Sequence, residues 1–353
     1  MAEKKKVRIG FVGVGSMGQC AHLKNYAVIP ECEVAALAEL RQDTAKQVAA
    51  RYGVPRVYRN HEEMLAKEQL DGLVAPQQFT RHGTLVPELL KARLPLFTEK
   101  PLAGSIEMGE KIVKAAKGSG AFMMVGYHKR SDPATMAMRR ELDALKASGE
   151  LGPLRYVRIT MPAGDWIAGG FCDLIQGMDP PPTIPSDPPP ADMDAATYKT
   201  YLDFVNYYIH QVNLMRHLLG EPYTVTFADP AGVLLVGQSA SGVTVSIEMS
   251  PYQTSVDWQE SALVAFERGW LRLDLPAPLA SNRPGRLTIF KDPGKGAAPQ
   301  TIIPQLPWVH AMRQQAINFI RAVRGEMPPM TGAAEALEDL RVARQYVRLW
   351  KGR

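Results

Sequence analysis

The sequence has 353 residues, 46% of them hydrophobic and 22% charged, an ordinary balance for a globular chain of two domains. Its net charge of +5 includes Lys4, Lys5 and Lys6 in the N-terminal tail; elsewhere acids and bases are interleaved, and no basic stripe points to nucleic acid. Cys20, Cys32 and Cys172 show neither metal nor disulfide spacing, and with no leader-like region and no run of ~20 apolar residues the chain reads as cytoplasmic, metal-free and without a membrane partner.

Val7–Val12 is a short apolar run ending in glycine and predicts a buried strand, followed by a helix over Ser16–Val28. Glu33–Ala38 predicts a second strand and Asp43–Tyr52 a second helix. Val57–Tyr58 reads as a brief extended piece, His61–Lys67 as a helix and Leu70–Ala75 as a strand. The alternation continues with a helix at His82–Ala92, a strand at Pro95–Thr98, a helix at Ile106–Lys117 and a strand at Phe122–Gly126. Strands that alternate with helices predict a parallel, doubly wound sheet.

The pattern changes after Tyr127. Asp132-Pro133 opens a helix that stops at Gly149, with proline in the first turn and glycine past the end. Strands are predicted at Leu154–Met161, Tyr223–Ala228, Gly232–Val236, Val243–Met249, Ser261–Glu267, Trp270–Leu275 and Arg286–Phe290. Their close spacing predicts a largely antiparallel sheet. A long helix at Tyr198–Leu219 stands among them, and helices at His310–Arg324 and Ala333–Lys351 end the chain. Between 179 and 194 lie seven prolines, at 180, 181, 182, 185, 188, 189 and 190. That stretch is neither a helix nor a central strand; it reads as a surface linker or as a stiff loop over a site. The expected fold is α/β: a Rossmann domain over 1–127 and an α+β domain with an open, largely antiparallel sheet over 128–353. The last helices are free to dock back on the first domain.

Gly13-Val14-Gly15-Ser16-Met17-Gly18 follows the first predicted strand and opens the first predicted helix. In that position Gly13 permits the tight turn, Gly15 lets backbone approach a pyrophosphate, and Gly18 lets helix and strand pack closely. The N–H groups around Ser16 and Met17 face the phosphates. Glu39, at the end of the second strand, suits the ribose hydroxyls and favours NAD over NADP; Arg41 is placed to pair with a 2′-phosphate instead. Thr98-Glu99-Lys100-Pro101 ends another strand at the edge where ligands bind in open α/β sheets, so Lys100 is a candidate contact to the nicotinamide ribose and to a substrate hydroxyl. On the helix Tyr198–Leu219, Asp203, Asn206, His210, Asn213 and His217 form one stripe. Its asparagines and histidines are poorer helix formers than lysine or glutamate and better hydrogen-bonding partners, which favours a site-lining stripe over a solvated one.

The chain resembles the glucose–fructose oxidoreductase / inositol dehydrogenase (Gfo/Idh/MocA) family. The matching pieces are the glycine turn at 13–18, Pro76 followed by His82, Glu99-Lys100-Pro101, Gly126-Tyr127-His128-Lys129-Arg130 with Pro133, His210 on its helix, and the segment Met327–Gly332. The resemblance implies an NAD(P)-dependent oxidoreductase acting at a secondary carbon of a sugar or polyol, and a homodimer or homotetramer built through the open sheet. It implies that Pro76, His82 and Glu99 belong to the cofactor site, and that His210 is the catalytic histidine near Lys100. An imidazole suits a general base that takes a hydroxyl proton. Many members carry aspartate where this chain has Asn206 and Asn213, and asparagine cannot stabilise an imidazolium by charge. Tyr207, Tyr208, His128 and Asp165 are the residues that can share the proton chemistry, with Asn206 and His128 holding neighbouring hydroxyls. Arg130, Lys129, Arg155 and Arg158 either serve an anionic sugar or are ordinary surface charge. Two further readings stay open: a glycosidase that retains NAD and cleaves by oxidation, elimination, addition and reduction, and a non-catalytic NAD-binding sensor.

Overall fold

The computed structural model describes residues 5–294 and 296–352; Lys4 of the basic tail lies outside them. The chain forms two units. The first comprises residues 1–127, 169–194 and 312–340, the second residues 128–168, 195–311 and 341–353. Two stretches that follow residue 127 in sequence thus belong with the first unit.

The first unit is built on six parallel strands: β1 Val7–Val12, β2 Cys32–Ala38, β3 Val57–Tyr58, β4 Gly72–Ala75, β5 Leu96–Thr98 and β6 Met123–Val125. Their spatial order is β3-β2-β1-β4-β5-β6, the doubly wound order with its switch point between β1 and β4. β1, β4, β5 and β6 are buried almost throughout, as expected for strands covered on both faces. Phe319, on the helix Ala311–Val323, is fully buried and meets Tyr26, Phe97 and Phe122 edge-on, with ring centroids 5.8–6.3 Å apart. The core of the nucleotide-type fold therefore includes a side chain nearly two hundred residues beyond its last strand.

The first helix departs from the expected form. After a helical start at 16–17 it widens to a π-helix over Gly18–Leu23, and only Lys24–Tyr26 returns to α geometry. Such wide turns gather at functional sites. This one turns His22 inward, among Cys20, Ala21 and Leu23.

Among the described residues the second unit carries eight strands: β7 Leu154–Ala163, β8 Tyr223–Ala228, β9 Leu234–Ser239, β10 Thr244–Gln253, β11 Glu260–Phe266, β12 Gly269–Leu275, β13 Arg286–Lys291 and β14 Gln300–Ile302. The order is β14-β13-β12-β11-β7-β10-β9-β8. β7 and β10 pair in parallel and every other pair is antiparallel. β11 alternates buried and half-exposed along its length, the period of a strand with one packed face. The helix Pro133–Ser148 packs on β12 and β13, and the helix Ala195–Leu219 on β7 and β10. Asp132 caps the former, its carboxylate accepting the Ala134 N–H (2.8 Å), and Gly149 ends it in the left-handed region. No helix among the described residues is long and apolar enough to cross a membrane.

Candidate active site

The glycine turn leaves β1 at the switch point. Gly13 has φ +91°, and a side chain there would collide with the amide of Gln77, which donates to the Val12 carbonyl (2.7 Å). A Cβ on Gly18 would lie 3.0 Å from the Gly13 carbonyl oxygen and 3.2 Å from Pro76 Cγ. Pro76 therefore serves the cradle by packing. Gly15 faces open space, and Ser16 and Met17 are at least partly exposed. Helical bonding begins with the Gln19 N–H to the Gly15 carbonyl (2.9 Å), so the N–H groups of the preceding turn have no acceptor within the helix. This open, side-chain-free cradle at a helix start fits a pyrophosphate.

Glu39, at the end of β2, is 7% exposed. Its Oε2 accepts the Val14 N–H of the glycine turn (2.9 Å) and Arg41 Nη2 (2.9 Å); its Oε1 accepts Arg41 Nε (3.1 Å). Burial pushes this carboxyl up, but the Arg41 guanidinium and the two N–H donors outweigh it and hold the group below the usual carboxylate range. Glu39 and Arg41, expected to act for alternative nucleotides, are thus one charge pair.

Lys100 follows β5 at the carboxyl edge of the sheet, is partly buried, and joins Pro101 through a cis peptide bond. The neighbouring Glu99 is interior. Its Oε1 lies 2.5 Å from His22 Nε2, and its Oε2 accepts the Lys100 N–H (3.1 Å). Burial raises the Glu99 carboxyl, but His22, then the charge and N–H of Lys100, together more than offset it, so the group is held low. Glu99 thereby fixes the backbone that presents Lys100. His22 escaped the sequence reading; the signal for it was a lone imidazole among apolar neighbours, which demands a polar partner once buried. His82 is likewise fully buried, with Nδ1 and Nε2 each 3.1 Å from a backbone carbonyl, of Leu102 and Gln77. It ties the chain after β4 to the chain after Lys100-Pro101. In this structure its ring nitrogens are engaged with backbone rather than facing a ligand.

The proline-rich stretch is a strap on this same unit. Gln19 donates to the Ile175 carbonyl (3.0 Å) and accepts its N–H (3.0 Å). Asp179 accepts the Thr44 N–H at the start of the helix Gln42–Tyr52 (2.8 Å). Asp187, 7% exposed, accepts the Gly83 N–H and the Thr84 hydroxyl (both 2.7 Å) at the start of the helix His82–Leu90. These helices follow β2 and β4, so the strap runs along the carboxyl edge of the sheet.

In the second unit, His128-Lys129-Arg130 mounts the long helix. The rings of His128 and His210 meet edge-on, centroids 4.5 Å apart and planes at 73°. Lys129 pairs with Glu260, which also accepts Gln211 Nε2 (2.7 Å) and Trp258 Nε1 (3.1 Å). Arg130 Nε donates to Asn213 Oδ1 (2.7 Å). Lys129 and Arg130 are 4% and 3% exposed. Both are interior here rather than surface charge, and the Arg130 guanidinium is buried against the long helix. Arg155 and Arg158 are strand residues paired with Glu267 and Glu248.

The predicted stripe divides along its length. Asp203 and Asn206 are exposed and His210 partly exposed, but Asn213 is buried. His217 is kept neutral: burial, then the cations of Arg130, Arg139 and Arg216, drive its imidazole well below the ordinary range. The first part of the stripe, Asp203 to His210, faces outward at least in part. Tyr207 is half-buried beside Tyr208, whose hydroxyl meets Ser250 (2.7 Å). Burial, then Tyr208 and Glu260, push the Tyr207 phenol up, which keeps it a proton donor. Asp165 spends its Oδ1 on the Ile167 and Ala168 N–H groups of its own turn (3.0 and 2.9 Å).

Residues 7–127 match the model of an oxidoreductase family with an NAD-binding Rossmann fold, GFO_IDH_MocA. Myo-inositol 2-dehydrogenase of Thermotoga maritima is 24% identical over 232 residues, 66% of this chain and 60% of that protein. Inositol 2-dehydrogenase of Acidothermus cellulolyticus is 33% identical over 153 residues, 43% of this chain and 44% of that protein. The chain thus matches less than two thirds of the length of either relative. The crystal structure of aldose-aldose oxidoreductase from Caulobacter crescentus, complexed with glycerol, superposes with a TM-score of 0.71 at 18% identity over 99% of both chains, a likeness of fold. The family match covers the strands and turns that carry the glycine cradle, Glu39 and Lys100, so over residues 7–127 the chain carries the NAD-binding Rossmann fold of the GFO_IDH_MocA oxidoreductases.

Proposed function

We propose that the protein is an NAD-dependent oxidoreductase that moves a hydride to or from a secondary carbon of a sugar, sugar derivative or cyclic polyol. The observation that carries this reading is the nucleotide cradle with Lys100 set at the carboxyl edge beside it, its backbone clamped by the buried Glu99. The inositol dehydrogenases among the relatives support the substrate class.

In this reading Gly13, Gly15, Ser16, Met17 and Gly18 hold the pyrophosphate and Glu39 the adenosine ribose. When bound, nicotinamide supplies the hydride acceptor or donor. Lys100 orients and polarises the reacting hydroxyl by charge. His210 takes its proton, with His128 packed against the imidazole to fix its plane. Asn206, on the exposed face one turn before His210, binds a neighbouring hydroxyl, and Tyr207 is the alternative proton carrier. Asp165, engaged in its own turn, has less left to offer a ligand. The enzyme works in the cytoplasm as a homodimer or homotetramer through the open sheet, on which Phe227 and Tyr252 are half exposed; light scattering on the purified chain tests the assembly.

The decisive experiment is absorbance at 340 nm with NAD and a panel of inositols, aldoses and their keto forms. Turnover is expected on at least one. Lys100→Ala is expected to lose about 10²–10³-fold in kcat with unchanged thermal melting. A variant as fast as wild type would refute the assignment. The retaining-glycosidase reading draws support from the strap on the nucleotide unit. It requires NAD to co-purify in native mass spectrometry and a glycoside to be cleaved without added nucleotide.

A further inference from the structure

The strap brings a second carboxylate to the position where the two nicotinamide dinucleotides differ. NADP carries an additional phosphate on the adenosine ribose, and in a doubly wound fold that group falls after β2. Three things could bind it here: the free N–H groups at the start of the helix Gln42–Tyr52, their share of the helix dipole, and Arg41. The structure shows Arg41 and the Thr44 N–H already engaged. Arg41 is forked onto Glu39. Asp179, 135 residues away in sequence, accepts the Thr44 N–H (2.8 Å). Asp43 faces the same place, its Oδ2 accepting the Met178 N–H (2.8 Å). The fit of strap to helix is close: the Gly177 N–H donates to Thr44 Oγ1 (3.1 Å), and a Cβ on Gly177 would stand 2.6 Å from the Thr44 nitrogen.

We propose that Asp179 is a cofactor-selecting residue: its carboxylate fills the anion position beside Arg41 and thereby excludes a 2′-phosphate. The proline-rich strap is then part of the nucleotide site. Glu39 and Asp179 set two negative charges beside one guanidinium, so a 2′-phosphate meets net repulsion as well as an occupied helix end. The Arg41 guanidinium is held in its charged form chiefly by its bond to Glu39, against desolvation, with Asp179 adding to it. A ribose hydroxyl is small and neutral, and it can still approach Glu39. Asp179 touches no reacting atom, and its effect is on which nucleotide binds. This inference rests on the NAD reading above.

Dissociation constants for NAD and NADP, by titration calorimetry on the full chain, test it. Wild type is expected to bind NAD at least about 30-fold tighter than NADP. Asp179→Asn keeps an oxygen for the Thr44 N–H and removes the charge. It is expected to tighten NADP about tenfold and to leave NAD within about twofold. Gly177→Ala, which pushes the strap off the helix, is expected to shift the ratio in the same direction. Far-UV circular dichroism and thermal melting confirm folding of each variant. If wild type prefers NAD and both folded variants keep its ratio, or lose both nucleotides equally, the role of Asp179 is overturned while the NAD reading stands. If wild type binds NADP as tightly as NAD, the NAD reading fails and this inference with it.

Discussion

His22 and Glu99, 77 residues apart in sequence, meet in the interior of the nucleotide-binding unit with Nε2 and Oε1 2.5 Å apart. One end of this contact lies in the π-helical turn after the glycine cradle; the other precedes Lys100. It thus links the segment that follows the glycine cradle to the segment that presents Lys100.

Removing that link strands a buried carboxylate. His22→Ala is expected to cost about 2–4 kcal/mol in urea unfolding at pH 7 and to lower kcat by displacing Lys100. His22→Gln retains a donor and should recover most of the stability. The Glu99 carboxyl is held below its unfolded value, so its stabilising share is present above the usual carboxylate range and fades as acid protonates it. His22→Ala should therefore flatten the acid limb of the stability curve. An unaltered curve would argue that the contact is inert.

Lys129 and Glu260 form a buried pair further bonded to Gln211 and Trp258. Lys129→Met alone leaves the carboxylate unpaired and is expected to cost about 3–5 kcal/mol. Combined with Glu260→Leu, the loss should shrink markedly, because two apolar residues replace two desolvated charges. Equal losses in the single and double variants would show that the pair's geometry, not its charge balance, matters.

Asp132 is 1% exposed and caps the helix Pro133–Ser148, also accepting the Gly285 N–H (3.0 Å). Burial raises its carboxyl to about 6 despite these donors. A carboxyl raised on folding binds its proton more tightly in the native state, so stability grows as pH falls through about 6 toward the unfolded value. The gain is about 3 kcal/mol at most. Asp132→Asn keeps the cap and should remove that rise between pH 7 and 4, as followed by denaturant midpoints. A rise that persists in the variant would assign it to another group.

Gly18 packs on Gly13 and Pro76 with no room to spare. Gly18→Val is expected to push the first helix from β1 and to weaken dinucleotide binding by about tenfold or more, with a smaller effect on melting. Unweakened binding would mean the close packing is not needed to shape the cradle.

The alternation of short apolar strands and helices, the glycine turn and the Asp132 and Gly149 caps were legible because each is a local pattern of residue type and spacing. So was the stripe around His210, although Asn213 within it is buried. The rest lay in pairings that no window of sequence contains. A π-turn uses the same residues as an α-turn and leaves no periodic mark. His22 with Glu99, Lys129 with Glu260 and Arg130 with Asn213 couple residues 77 to 131 apart. Arg130 reads as a surface cation until its asparagine partner is known. β14 is three exposed residues at a sheet edge, too short to show alternation. The parallel pairing of β7 with β10 follows from the eighty-residue excursion between them, not from either strand's composition.

The return of residues 169–194 and 312–340 to the first unit has a consequence for how the chain is made. When residue 127 leaves the ribosome all six strands of the nucleotide sheet exist, but Phe319, which closes the aromatic cluster over Tyr26, Phe97 and Phe122, has not been synthesised. At ~5–20 residues per second, the missing helix arrives roughly 10 to 40 s later. For that interval the nascent sheet shows an apolar face to the cell, and the length of time it waits, rather than its final stability, sets how much it depends on chaperones.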